Sequence, residues 1–307
     1  MAGHDGARAL GRLLDGGWGY HDKDGERLAR ELEEAAAGER IAPQRLASFV
    51  HLVVHTIGGH LGDWPRALAL GKRVLDGQMP HFETAKAWGR LSVAAVLAGD
   101  ALEAADLELT YLKAAGNERG AALLDMRFML AEALIGAKQA GEAARLYRRA
   151  LDLVGQVRPS APLDQTIAVA SNNLGWELYE MPSRTPEENG LMQLAAATSL
   201  TFWRKCGNWL NAERAHYLNA VVANATGDPR AALAHADTAL AVIAANGERP
   251  LDAARLHLAR AAALTALDDA AGSAHAIGDA DDAAAKLAAP DLRAEFAAER
   301  AKVVARR

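Results

Sequence analysis

The segment HLVVHTIGGH carries three imidazoles, His51, His55 and His60. An i,i+4 spacing puts His51 and His55 on one helix face, where two ring nitrogens can share a metal ion. The Glu of the zinc-protease motif is absent between them, and on an α-helix His60, five residues past His55, falls off that face. The spacing therefore predicts histidines packed between helices, with no metal site. Cys206, in TFWRKCGNW, has Arg204 and Lys205 beside it, cations able to lower a thiol pKa. No His or Asn pattern supplies a catalytic partner, so a buried, inert thiol is expected. An enzyme or a metal or ligand sensor using His51, His55 or Cys206 stands as the alternative function.

A second concentration of functional residue types lies in 168–224. It holds Trp176, Trp203 and Trp209, half of the six tryptophans, and every Asn of the chain except Asn117 and Asn246. Aromatic rings beside amides and cations are the usual composition of binding hot spots. Other charged groups point to structure. Arg27 and Glu31 form an i,i+4 pair, as do Arg30 and Glu34, on a solvated face. Asp268, Asp269, Asp279, Asp281 and Asp282 suit caps and turns, and Arg145, Arg148 and Arg149 a charged surface. No Gly-rich phosphate loop, nucleophile elbow or Cys/His zinc framework occurs, so neither catalysis nor a cofactor is expected.

The elements that must position these residues are helices. Of 307 residues 50% are hydrophobic but only 5% aromatic, and about 70 are alanine, the strongest helix former. Small side chains suit closely packed helices. No segment approaches the roughly 20 apolar residues of a membrane span, the opening residues lack the apolar core of a signal peptide, and the single cysteine fits a reducing compartment. A soluble, cytoplasmic protein is expected. A net charge of -5 argues against a broadly basic nucleic-acid surface.

Apolar residues recur at three- and four-residue spacing through nearly every long segment. Helices are predicted over 5–15, 24–37, 43–61, 64–76, 82–98, 100–115, 119–136, 140–154, 163–180, 186–205, 209–226, 229–245, 250–266, 268–287 and 291–305. Asp63, Asp100 and Asp228 each follow a Gly and precede an apolar run, so the Gly can end one helix and the Asp cap the next. The hairpins repeat: GDWPRALALGKRVL, GDALEAADLELTYL, KQAGEAARLYRRAL and GDPRAALAHADTAL align with Ala67, Ala104, Ala143 and Ala232 at one site. A small residue there lets the second helix of a hairpin approach the first.

These repeats resemble the tetratricopeptide (TPR) family over about residues 43–287. KQAGEAARLYRRALDLV matches its second helix through Ala143, Tyr147, Ala150 and Leu151. Leu174-Gly175 supplies the Leu-Gly of its first helix, and Trp88 stands at the aromatic site, which His51 and His216 fill elsewhere. The resemblance implies an all-α fold, a superhelical array of antiparallel helix hairpins of the α-solenoid type. Residues 1–40 would form an N-terminal helical segment, 41–289 the array and 290–307 a capping helix, with Leu292, Phe296 and Val303 inward and Arg293, Glu295, Glu299, Arg300 and Lys302 in water. The alignment implies that Asn172, Trp176 and Tyr179 project from the inner face of one first helix and Arg214, Tyr217 and Asn224 from the next. Such faces bind extended peptides, amides pairing with backbone and a cation holding a carboxylate. The resemblance thus implies a protein- or peptide-binding module or scaffold with no catalysis and a groove centred on 168–224. The first 40 residues, with two short helices and a net acidic second one, do not suggest DNA binding in cis.

Overall fold

The computed structural model describes residues 2–38 and 40–305, with side chains from Arg8 onward. All regular elements among these residues are helical. The chain divides into two units, Met1–Arg158 and Pro159–Arg307.

The first unit contains α1 (Ala2–Gly16), α2 (Gly25–Ala37), α3 (Pro43–Val53), α4 (Trp64–Leu75), α5 (Ala85–Leu97), α6 (Ala101–Ala114), α7 (Arg119–Gly136) and α8 (Ala140–Val154). The pairs α3/α4, α5/α6 and α7/α8 are antiparallel hairpins. The first helices make one layer, α3 against α5 and α5 against α7, and the second helices cover it. The alignment of small residues has a direct physical counterpart: Ala67, Ala104 and Ala143 are all buried. Glycines do the same work at Gly71 and Gly89, where a Cβ would stand 2.2 Å from a Leu91 methyl and 2.7 Å from the Tyr111 ring. The helices α1 and α2 pack over the first hairpin, Leu14, Leu28 and Leu32 sharing a core with Leu46, Phe49, Val53 and Ala67.

The second unit repeats the scheme with α9 (Ala161–Glu180), α10 (Pro186–Cys206), α11 (Trp209–Ala225), α12 (Pro229–Asn246), α13 (Pro250–Ala266), α14 (Ala270–Ala285) and α15 (Pro290–Val304). Here α9, α11, α13 and α15 follow one another in one layer, while α10, α12 and α14 form the other. Ala232 is buried as expected. Gly175 lets Leu218 approach, a Cβ at that position lying 3.0 Å from its methyl. Phe296 of α15 is buried against Ala254, Leu258, Ala280, Ala284 and Leu287, with Leu292 and Val303 at the edge. The charged side chains of α15 are engaged more than the expectation of a wet face allows. Arg255 binds Glu295 and Glu299 at 2.5 and 2.8 Å, Arg300 binds Asp281 at 2.7 Å, and Arg293 donates to the Leu287 carbonyl.

The hairpin turns follow the predicted Gly-Asp logic. Gly62, Gly99 and Gly227 have φ of +71°, +81° and +79°, the left-handed region open to glycine. Asp63, Asp100 and Asp228 accept from the amides of Arg66, Glu103 and Ala231, each at 3.1 Å. Lys138 and Asp268 occupy the equivalent position in two other hairpins, at φ +59° and +61°.

One predicted helix is not a single α-helix. The helix expected over 43–61 ends as α3 at Val53 and continues as a π-helical turn, Val54–His60. Leu61 N–H bonds the Thr56 carbonyl, five residues back, at 3.0 Å. The indole of Trp64, at the start of α4, lies so close to Gly58 that a Cβ there would meet the ring at 2.4 Å. Only glycine permits this contact, and the widened turn brings the Gly58 backbone against it.

Candidate functional site

In the second unit, α9 and α11 are neighbours in the first-helix layer, and residues four apart on a helix share a face. Trp176 and Tyr179 on α9 meet edge to face at 5.5 Å between centroids, and Trp176 reaches Tyr217 on α11 at 5.6 Å. Three of the expected residues thus form one half-buried aromatic patch. Charges border it. Arg214 lies 3.7 Å from Asp252 on α13, which also takes Arg249 at 3.0 Å. Burial and the nearby Glu299 carboxylate push the Tyr217 phenol up, so it stays a neutral hydrogen-bonding group.

Next to Arg214, Glu213 is only 1% exposed, and neither carboxylate oxygen has a hydrogen-bond partner. Burial first, and Asp252 second, raise its pKa from 4.5 to about 7, against the opposing pull of Arg214 and Arg249. Sequence patterning did not single out this residue. Its only signal is a charged residue between two positions that point into the layer, and such a residue on a solvated helix edge looks the same.

The asparagines divide by role. Asn224 donates to the Ala259 carbonyl of α13 at 2.8 Å, which ties α11 to its neighbour. Asn219 bonds the carbonyls of Ala196 and Ala215, and Asn208 with Asn211 forms a capping box at the start of α11. Asn172 is half-buried on α9, one turn before Trp176. Much of the asparagine enrichment is therefore structural, joining helices and capping them.

The histidines of the first unit lie elsewhere than the α-helical reading puts them. The π-turn carries about one extra residue per turn, so residues five apart come into line. His60, expected off the face, lies beside His55 with Nε2 atoms 3.1 Å apart. His21, from the turn that follows Trp18, joins them with ring centroids 5.0 Å from His55 and 4.9 Å from His60. His51 does not join this group; its ring packs on Trp18 at 5.0 Å, 6.2 Å from the ring of His55. Burial holds His51 and His55 neutral, with pKa values lowered to about 3 and about 4. His216, at the same repeat position as His51, is buried and takes a hydrogen bond from Arg204 at Nε2, while its Nδ1 lies 3.0 Å from Nδ1 of His235. The thiol of Cys206 donates to the Phe202 carbonyl at 3.3 Å. Burial and Asp164 raise its pKa, outweighing Lys205, and the side chain is half-buried where a buried thiol was expected.

No protein-family model matches the chain, and no curated protein is similar to it. Solved structures similar to it include the TPR-like repeats, nearly identical to one another, of a kinesin light chain from Podosopora anserina (16% identity, 80% of this chain and 97% of that one, TM-score 0.36). The apo quorum sensor NprR from B. thuringiensis is 13% identical over 90% of this chain and 87% of its own, with a TM-score of 0.36. A tetratricopeptide repeat protein from Parabacteroides merdae is 14% identical over 95% and 99%, with a TM-score of 0.34. No helix among the described residues is long and apolar enough to cross a membrane.

Proposed function

We propose that the chain is a binding module for a protein or peptide partner, and that the first-helix layer of its second unit takes an extended segment without catalysis. The observation that carries this reading is the aromatic patch of Trp176, Tyr179 and Tyr217, half-buried and bordered by Arg214, Asp252 and Arg255. Rings held rigidly by their helix neighbours lose little entropy on binding, and the surrounding charges supply direction. In this reading Trp176 and Tyr217 stack on the partner's apolar side chains, Arg214 takes a carboxylate and Asn172 pairs with peptide backbone. Asn224 contributes by holding α13 against α11. Membrane and nucleic acid are not the partners this patch suits, and a cytoplasmic location agrees with a single unpaired thiol.

Selection from a displayed random-peptide library, followed by fluorescence anisotropy of the enriched peptides, tests this. Trp176→Ala and Tyr217→Ala should each cost about 2 kcal/mol or more of binding, about 30-fold in Kd. Arg214→Ala should weaken acidic or C-terminal ligands selectively. Enriched peptides that bind all three variants as they bind the parent would overturn the reading.

A further inference from the structure

The three imidazoles of His21, His55 and His60 come from two segments distant in sequence and meet at one point. One ring nitrogen from each lies within 4.8 Å of the other two. A tetrahedral zinc ion with bonds of 2.0–2.1 Å separates its ligand nitrogens by about 3.3 Å, and the Nε2 atoms of His55 and His60 are already 3.1 Å apart. The rings of His55 and His60 are nearly perpendicular at 81°. Two imidazoles that aim ring nitrogens at one point, and do not stack, match a shared ligand.

The orientation of the third ring is also set. His21 Nδ1 lies 2.8 Å from the Trp18 carbonyl. A carbonyl only accepts, so Nδ1 carries the proton and Nε2 keeps the lone pair a metal requires. A carbonyl bonded to the remote nitrogen is the usual support of a ligating histidine. Trp18 covers the site as well, its ring 5.3 Å from His21 and 5.2 Å from His55. His55 is half-buried and His60 exposed, which leaves an entry path.

We propose that His21, His55 and His60 form a site for a divalent transition-metal ion of the zinc class, bound by three imidazoles with a fourth position open to water. The ion ties the turn after Trp18 to the π-turn of the first hairpin, and so fastens α1 and α2 to the repeats. The widened turn is what aligns His55 with His60, and π-turns recur at functional sites for this kind of reason.

The test uses the full chain, free of any affinity tag, titrated with Zn2+ against a chromophoric chelator. One Zn2+ per chain should bind, and Co2+ in its place should give the intense visible bands of a four-coordinate site. His21→Ala and His60→Ala should each lower the affinity by at least ~100-fold, since even the loss of a supporting residue costs 10–100-fold. His51→Ala, and His81→Ala at an exposed position between α4 and α5, should bind as the parent does. Circular dichroism establishes that each variant is folded, and His60→Gln repeats the test at an exposed position with a milder change. Absence of stoichiometric Zn2+ at micromolar free metal would overturn the proposal. So would unchanged affinity in folded His21→Ala and His60→Gln.

Discussion

Replacing Glu213 by Gln changes one proton and almost no volume, so it isolates the cost of a buried charge. The folded chain raises this carboxyl from 4.5 to about 7, and the unfolded chain returns it to 4.5. Between those values the folded state binds more protons than the unfolded one, so stability must fall as pH rises through the window and level off above pH 7. A rise of that size corresponds to about 3 kcal/mol at most, of which about 2 kcal/mol is expressed between pH 5.5 and pH 8. Asp252 adds to the cost of the charge, while Arg214 and Arg249 relieve it. Glutamine carries no charge at any of these pH values, so the variant should gain about 2 kcal/mol on the parent as pH rises from 5.5 to 8. Urea unfolding of both proteins at each pH, compared by midpoint and slope, measures this difference directly. Glu132 on α7, likewise raised to about 7 by burial, contributes equally to parent and variant and cancels. A gap between Glu213→Gln and the parent that is the same at pH 5.5 and pH 8 would refute the reasoning, because the carboxyl would then ionise alike in both states.

Gly71→Ala should cost about 1–3 kcal/mol in thermal or urea unfolding, since its Cβ would overlap Leu91 in a packed hairpin contact; Gly16→Ala, with open space around it, is the control and should be near neutral. Phe296→Ala should cost about 3–5 kcal/mol to the docking of α15 and make the segment after Leu287 the first cut in limited proteolysis, which mass spectrometry of the fragments would locate.

The helices were legible because their signals are local. Apolar spacing placed the fifteen α-helices of the described residues, and Gly-Asp pairs marked three turns whose glycines are left-handed and whose aspartates cap. The shared alanine position was legible for a different reason: small residues at one repeat site have a single use, close approach, and Ala67, Ala104, Ala143 and Ala232 are all buried. The aromatic patch was half legible. Trp176, Tyr179 and Tyr217 come together as the repeat register implied, but the same register could not say that Asn224 spends its amide on a neighbouring helix. The histidine cluster escaped because its alignment depends on a π-turn. That turn sets Gly58 against the Trp64 ring, and a pattern of 3.6 residues cannot express it. His21 escaped for a plainer reason, lying far along the chain from its partners.

The hairpin turns show how this chain can be a repeat without looking like one. In α3/α4, α5/α6 and α11/α12 a glycine takes the left-handed position, but in α7/α8 and α13/α14 the residue is Lys138 or Asp268 with nearly the same φ. In four of these five turns the next amide reaches back to the carbonyl five residues earlier, as in Asp100 to Ala95, Gln139 to Leu134, Asp228 to Ala223 and Asp269 to Leu264. What recurs is a positive φ and, in four of the turns, one hydrogen bond, and the letters that produce them differ. Each non-glycine turn gives up about 1 kcal/mol to hold that angle, an amount the flanking helices absorb. The periodicity of this protein is written in its backbone, and side chains are free to drift wherever the backbone tolerates them.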